Sequence, residues 1–251
     1  MSHVAERARV VAITGAGGAL GAAISHRLAS EPGTDLVLSD VSGSSLETTV
    51  AGLPETGRKV ETALADVSVF EQVQAVVALA VERFGRLDVL IQNAGVLSPN
   101  GRIHNLATED WERAFRVNVL GAVNGIRAAV AVMRTQSSGS IVLTASVAGI
   151  TAWSHAAPYC ATKAAVIQLA KVAAVEYARD GIRVNCVCPG TFRSAIHDGL
   201  PPESLDVIAA RHPLGLGAAD DLTGAYSYLA GSDSSWTTGS ALIVDGGYSA
   251  P

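Results

Sequence analysis

Residues 10–21 read VVAITGAGGALG, and this stretch decides the fold. The first five, VVAIT, are a short β-branched run closed by Gly15, which predicts a buried strand. GAGGALG follows, and then AAISHRLA (22–29), whose pattern predicts a helix. Glycines at a strand-to-helix turn let the backbone come close to a pyrophosphate, while the helix N-terminus offers free N–H groups and a partial positive charge. By itself such a turn is a weak signal, because it can be no more than a tight turn. Set between a strand and a helix it becomes a candidate dinucleotide loop, with Gly15, Gly18, Ala19, Leu20 and Gly21 on the phosphate side.

Moving outward, the next strand, DLVLSD, ends at Asp40, nineteen residues beyond Gly21. An acid there accepts hydrogen bonds from an adenosine ribose; otherwise it is an ordinary strand-end Asp. A third strand, KVETALADV, ends at Asp66 and Val67, the expected adenine contacts. After a helix over VFEQVQAVVALAVERFG, the strand LDVLIQ runs into Asn93-Ala94-Gly95, small residues that let a cofactor lie against the backbone. Glu109 to Arg134 reads as one long helix with Asn118 inside it. Asn has poor helix propensity, so a mid-helix amide points to a local polar contact or a held water. SGSIVLTAS is a fifth strand ending at Ser146, GIRVNCVCPG a sixth with Pro189-Gly190 at its end, and ALIVDGG the last, after a helix from Ala219 to Ala230. Residues 191–213 carry Pro201, Pro202 and Pro213 without a clear period, which predicts a loop with one short helix, a lid over a pocket.

Strands and helices alternate without a linker. The expectation is one α/β domain over residues 1–251, about seven parallel strands with helices on both faces. Every chemically interesting residue falls at a strand's C-terminal end or on the helix after it, where ligands of open α/β sheets sit.

Composition narrows the partners. A net charge of −5 and a pI near 5.6, with no basic cluster, argue against nucleic acid or an anionic membrane surface. The start, MSHVAERARV, lacks the apolar core of a signal peptide, and no uninterrupted apolar run of about 18 residues suggests a membrane span, so a cytoplasmic protein is expected. Three cysteines, Cys160, Cys186 and Cys188, are too few and too poorly spaced for a disulfide framework or zinc site. His104, His197 and His212 have no metal-ligand spacing. Trp111 and Trp236 read as packing residues.

The chemistry concentrates in residues 146–163, SVAGITAWSHAAPYCATK. Tyr159 and Lys163 stand four apart in a helical pattern and share one helix face. A free phenol titrates near pH ~10 and is a poor base at neutrality. An ammonium roughly 4–5 Å away, at an effective dielectric of about 20, favours the phenolate by about 3–4 kcal/mol, which brings Tyr159 into range for proton transfer. With five Tyr in 251 residues and Lys only at 59, 163 and 171, a chance Tyr-x-x-x-Lys falls in roughly one such chain in seventeen, so context must decide.

The context is a set of ordered motifs. Thr14-Gly15-Ala16-Gly17-Gly18-Ala19-Leu20-Gly21, Asn93-Ala94-Gly95, Asn118, Ser146, Tyr159-Cys160-Ala161-Thr162-Lys163, Pro189-Gly190-Thr191 and Val244-Asp245-Gly246-Gly247 together resemble the short-chain dehydrogenase/reductase family, from about Val10 to Tyr248. Ala19 and Gln92 depart from it, standing where many members have glycine and asparagine. The resemblance implies a Rossmann-type doubly wound fold, NAD as cofactor and a homotetramer. It implies that Tyr159 is the general acid/base, that Lys163 lowers its pKa and binds the nicotinamide ribose, and that Ser146 orients the substrate oxygen. Asn118 would hold a water linking Lys163 to solvent, and Thr191 would contact the carboxamide. The tetramer would pair helices 109–134 and 157–179 across one two-fold and use the C-terminal strand region for a second interface. The run AAVIQLAKVAAVEYA, apolar around much of its circumference, agrees with that.

Two rival readings stand beside an NAD-dependent oxidoreductase: a non-catalytic dinucleotide sensor, which has no need of Ser146, Tyr159 and Lys163 together, and an epimerase or dehydratase of related fold. Asp40, with no Arg or Lys among its neighbours, predicts NAD over NADP. For the substrate, Leu97, Trp153, Phe192, Ile196, Leu200 and Leu205, with Arg193 the nearest charge, predict an apolar pocket for a neutral secondary alcohol or its ketone rather than a phosphorylated or acyl-carrier substrate. A cis-dihydrodiol oxidised to a catechol is the alternative, if His155 or another polar group holds the second hydroxyl.

Overall fold

The computed structural model describes residues 8–194 and 202–250, the side chains of Pro202, Ser204 and Leu205 excepted. Seven strands form one parallel sheet: β1 (Arg9–Thr14), β2 (Thr34–Asp40), β3 (Val60–Leu64), β4 (Val89–Gln92), β5 (Gly139–Thr144), β6 (Ile182–Pro189) and β7 (Ala241–Val244), in the order β3-β2-β1-β4-β5-β6-β7. Every pairing is parallel. Strand order reverses between β1 and β4, and the crevice outside their carboxyl ends is where a ligand of such a sheet binds.

Alternation along the strands builds two cores. Val10 and Ala12 of β1, Leu90 of β4, Ile141 and Leu143 of β5 and Cys186 and Cys188 of β6 face one side, against α3 (Phe70–Phe84), α5 (Gly121–Gln136) and α6 (Ala157–Tyr177). Val11, Ile13, Val89, Ile91 and Val142 face the other, against α1 (Ala19–Ala29) and α8 (Ala219–Ala230). This is the doubly wound single domain expected from the alternation. The two strand cysteines are fully buried and form no disulfide, as core residues.

Three local features depart from expectation. First, α1 begins at Ala19, so Ala19, Leu20 and Gly21 belong to its first turn rather than to the loop. Gly15 makes the turn itself at φ +64°, and a Cβ on Gly21 would lie 2.0 Å from the Gly15 carbonyl oxygen, so only glycine lets helix and loop close on each other there. Second, a helix α2 (Gly43–Ala51) fills a stretch to which the sequence reading gave no element. Its sequence, GSSLETTVA, is poor in helix formers; Ser42 caps it by accepting from the Ser45 N–H, and Leu46 is its buried anchor.

Third, the long helix is not continuous. α4 (Thr108–Phe115) and α5 are joined by a π-helical turn, Arg116–Leu120, centred on Asn118. The widened turn lets the Asn118 amide reach sideways out of the helix rather than along it. Taken as one stretch, Thr108–Gln136 is, among the described residues, the helix long and apolar enough to cross a membrane by length and composition, yet half of its apolar window is buried inside the fold, as in a core helix. Trp236, expected as a packing residue, is 99% exposed within this chain. The one short helix expected between residues 191 and 213 is α7 (Pro202–Ala209).

Candidate active site

The carboxyl ends of β1, β2, β4, β5 and β6 open onto one cavity of about 590 Å³. Gly15, Gly18, Ala19, Leu20, Gly21, Asp40, Asp66, Val67, Asn93, Ala94, Gly95, Ser146, Tyr159, Lys163, Pro189, Gly190 and Thr191 all line it. Of the residues singled out in the sequence as catalytic or cofactor-binding, Asn118 alone is set behind its wall.

A chain of hydrogen bonds fixes the floor. Thr14 Oγ1 accepts from the N–H groups of both Asn93 and Ala94 at 3.2 Å, tying β1 to the end of β4. Asn93 donates from Nδ2 to the Gly15 carbonyl at 3.0 Å, and its Oδ1 accepts from Thr144 Oγ1 at 3.3 Å. That leaves Thr144 Oγ1 to accept from the fully buried Tyr226 hydroxyl, 2.9 Å away on α8. Sequence reading missed Thr144 and Tyr226. The signal for Thr144 was its place at the end of β5, two residues before Ser146; for Tyr226 there was none, since a tyrosine in a covering helix looks like any packing residue.

On the dinucleotide side, Asp40 accepts from the Gly17 N–H at 2.9 Å and from the Ser42 N–H at 3.0 Å, which holds its carboxylate at the glycine loop. Asp66 caps its own turn through the Ser68 N–H, and the Val67 carbonyl accepts from Asn124 of α5. These residues fit a dinucleotide: a glycine-tight turn, a helix N-terminus and an acid at the next strand end converge on one cavity.

On the reactive side, Lys163 is 5% exposed and donates from Nζ to the Thr144 carbonyl at 2.8 Å. Burial pulls its ammonium down to about 8, against the weaker opposing influence of the Cys188 and Cys186 thiols. Its Nζ lies 5.6 Å from the centre of the Tyr159 ring. Here the sequence expectation needs correction. Burial pushes the Tyr159 phenol above its ordinary value; a hydrogen bond with Ser146 offsets part of that, and no lowering by Lys163 appears. Desolvation wins because the phenolate would give up water, while the ammonium is turned toward a carbonyl and is itself weakened by burial. Ser146 Oγ accepts from the Ala148 N–H at 3.1 Å and turns its O–H to the Tyr159 hydroxyl.

Asn118 is held by the protein itself. Its Oδ1 accepts from the Val96 N–H at 2.8 Å, and its Nδ2 donates to the Val96 carbonyl at 2.9 Å and to Thr162 Oγ1 at 3.0 Å. The side chain therefore clamps the backbone after Gly95 to α6.

At the substrate end, Leu97, Trp153 and Phe192 line the cavity, joined by Val96, Arg113, Val117 and Ser194, which the sequence did not point to. Ile196 and Leu200, like His197, lie outside the described residues, as does the side chain of Leu205. Arg193 is not in the wall; it is exposed, and the charge at the rim is Arg113. His155 is exposed at a positive φ of 67°, with Nδ1 2.8 Å from Ser154 Oγ, and does not line the cavity. It cannot hold a second hydroxyl there. His212, given no role from sequence, is buried, and its Nε2 accepts from the Thr191 N–H at 3.1 Å while Nδ1 faces the Ile208 carbonyl at 2.9 Å. It ties Thr191, just after β6, to α7.

Comparison with known proteins agrees with this arrangement. A family model described as enoyl-(acyl carrier protein) reductase matches residues 15–249. The cis-4-hydroxycyclohexanecarboxylate dehydrogenase of Sinomonas cyclohexanicum is 35% identical, with 96% of this chain and 97% of that protein covered. The levodione reductase of Leifsonia aquatica is also 35% identical, over 96% of this chain and 94% of its own length. Among solved structures, an NAD+-bound xylitol dehydrogenase superposes with a TM-score of 0.90 at 32% identity, covering 96% of this chain and 99% of that one. With its seven-stranded parallel sheet, its ordered motifs and these relatives, the chain belongs to the short-chain dehydrogenase/reductase family, as an oxidoreductase of alcohols and ketones.

Proposed function

We propose that the protein is an NAD(H)-dependent oxidoreductase that interconverts a neutral, hydrophobic secondary alcohol and its ketone, with Tyr159 as general acid/base. The observation that carries this reading is the convergence of Ser146, Tyr159 and Lys163 with the glycine loop on one cavity. A dinucleotide sensor has no need of that trio.

A nicotinamide dinucleotide bound along the cavity supplies the hydride. The chain's own groups handle the oxygen. Ser146 hydrogen-bonds the substrate oxygen and orients it toward Tyr159. The raised phenol carries its proton at neutral pH, the form needed to protonate an oxygen that gains negative charge as a ketone is reduced. In the oxidative direction the same phenol must first be ionised, a form the Ser146 hydrogen bond favours against burial. Asp40 supports NAD over NADP: among the described residues lining the cavity the Lys and Arg are Lys163 and Arg113, and the Asp40 carboxylate is held by the Gly17 and Ser42 N–H groups instead. A 2′-phosphate there would meet a carboxylate without a compensating cation.

Leu97, Trp153 and Phe192 make an apolar wall, and burial against it contributes ~25 cal/mol per Å². The relatives named for hydroxycyclohexanecarboxylate and levodione support a secondary alcohol or ketone as the reacting group. A homotetramer and a cytoplasmic setting complete the proposal. The first is supported by the exposed apolar residues of α6 and β7, the second by three free thiols.

The test is NADH production or consumption followed in absorbance over a panel of secondary alcohols and ketones, with NADP as comparison, for the natural chain and for Tyr159→Phe. The phenylalanine chain should lose ~100- to 10,000-fold in turnover while still binding NADH. Near-normal turnover in that variant removes Tyr159 from its role, and equal kcat/KM with NADP removes Asp40 from its own.

A further inference from the structure

Tyr226 lies on α8, fully buried and behind the cavity rather than in its wall. Its ring packs in the apolar layer that also holds Val11, Ile13, Val142 and Leu222, a space that a phenylalanine would fill equally. What the hydroxyl adds is a hydrogen bond of 2.9 Å with Thr144 Oγ1, at the end of β5. A buried hydroxyl gives up water to make such a bond, and the exchange returns little net stability.

The neighbours settle the direction of that bond. Asn93 spends its Nδ2 on the Gly15 carbonyl at 3.0 Å, so its Oδ1 faces Thr144 as an acceptor, and Thr144 Oγ1 commits its proton there at 3.3 Å. Tyr226 is therefore the donor to Thr144. Burial pushes its phenol well above the ordinary value, so the proton stays on it at neutral pH. The bonds run with one polarity from Tyr226 through Thr144 and Asn93 to Gly15, the residue that makes the positive-φ turn of the glycine loop. Thr144 serves the reactive side too. Its carbonyl accepts from Lys163 Nζ at 2.8 Å and so sets where the buried ammonium stands, 5.6 Å from the centre of the Tyr159 ring. One threonine holds the cofactor turn through its side chain and the lysine through its backbone.

We infer that Tyr226 is a positioning residue of the reaction: through the Thr144 hydroxyl it keeps the glycine turn and Lys163 in register with each other. It touches neither cofactor nor substrate and acts by way of Thr144. This rests on the oxidoreductase reading. Small displacements of reacting groups are costly in rate, and the loss of one hydrogen bond of ordinary strength changes a rate or a binding constant by about three- to tenfold.

The experiment is a double-mutant cycle of Tyr226→Phe, which removes the hydroxyl and keeps the ring, with Thr144→Val, which removes its partner. Each protein is measured for kcat and KM on the alcohol that the natural chain oxidises best, for NADH affinity by fluorescence titration and for its urea midpoint. Tyr226→Phe should lower kcat and weaken NADH binding, each by about three- to tenfold, while KM for the alcohol does not move. Thr144→Val should lose more, because Asn93 loses its donor as well. The double variant should be no worse than Thr144→Val, since the Tyr226 hydroxyl has nothing to act on once its partner is gone. Effects that multiply in the double variant overturn the inference. So does a Tyr226→Phe chain that keeps natural kcat and NADH affinity and shifts only its urea midpoint, or one that does not fold, because the hydroxyl is then a stability contact. These outcomes leave the oxidoreductase reading standing; that reading falls if the natural chain turns over no alcohol or ketone. The cycle is then decided on NADH affinity alone, where the same non-additivity is required, and a natural chain that does not bind NADH overturns both.

Discussion

Two residues set the electrostatics and packing of the site in ways that can be measured. Lys163 has its ammonium pulled from 10.5 to about 8 by burial. The folded state therefore penalises the charged form. Below pH 8 the penalty is fully present; between 8 and 10.5 the unfolded chain holds a proton that the folded chain has released, so stability rises with pH; above 10.5 both are neutral and the penalty is gone. Comparing urea denaturation of the natural chain with Lys163→Met isolates this contribution. From pH 8 to pH 10 the stability of the natural chain should gain about 2 kcal/mol relative to the variant, and a flat difference would deny the burial of the cation. Gln92 carries the opposite lesson. It is 3% exposed, and neither Oε1 nor Nε2 has a partner. Gln92→Leu should stabilise the protein by about 1 kcal/mol in thermal or urea unfolding, because it removes two buried polar atoms that gain nothing from the fold. A loss of similar size would mean that the amide is hydrogen-bonded after all.

Among the elements, the π-helical turn Arg116–Leu120 has the clearest consequence. It aims Asn118 at Val96, so the backbone beyond β4 is gripped through both its N–H and its carbonyl, and through Thr162 the same amide touches the helix that carries Tyr159. Thr162 donates onward to the Tyr159 carbonyl at 2.8 Å. Asn118→Ala should cost roughly 2–4 kcal/mol of stability, the order expected when buried backbone groups lose their partners, and should weaken NADH binding because the backbone after Gly95 loosens. Denaturation and NADH fluorescence titration check this together. A large fall in turnover with stability unchanged would favour the water-holding role that the sequence led us to expect.

For the whole molecule, the expected homotetramer makes a definite demand on the surface. α6 leaves Val175 82% exposed and Val172 45% exposed, Phe115 and Leu120 stand out beside it, and near β7 Trp236 is 99% exposed with Ile243 close in sequence to it. Apolar side chains presented in two separate regions suit two different two-fold contacts. Light scattering at micromolar concentration should give the mass of four chains, and Val175→Asp should reduce it to that of two. A stable monomer of the natural chain defeats the proposal.

What the sequence determined by itself is the order of things. The β-branched runs, the glycine turn and the alternation with helices specify a parallel sheet buried on both faces, because strand and helix periods and burial are local properties of the chain. They also place Gly15, Asp40, Asn93, Ser146, Tyr159 and Lys163 at one edge of that sheet, because each follows the carboxyl end of a strand. Tertiary structure decided what no spacing encodes. Loop path turned Trp153 into the cavity and His155 away from it, and put Arg113 rather than Arg193 at the rim. Burial, a sum over neighbours distant in the chain, raised the Tyr159 phenol where a nearby lysine promised to lower it, and left the indole of Trp153 without an acceptor. Desolvation and hydrogen-bond completion depend on everything packed around a group, so they became legible only once the chain was folded.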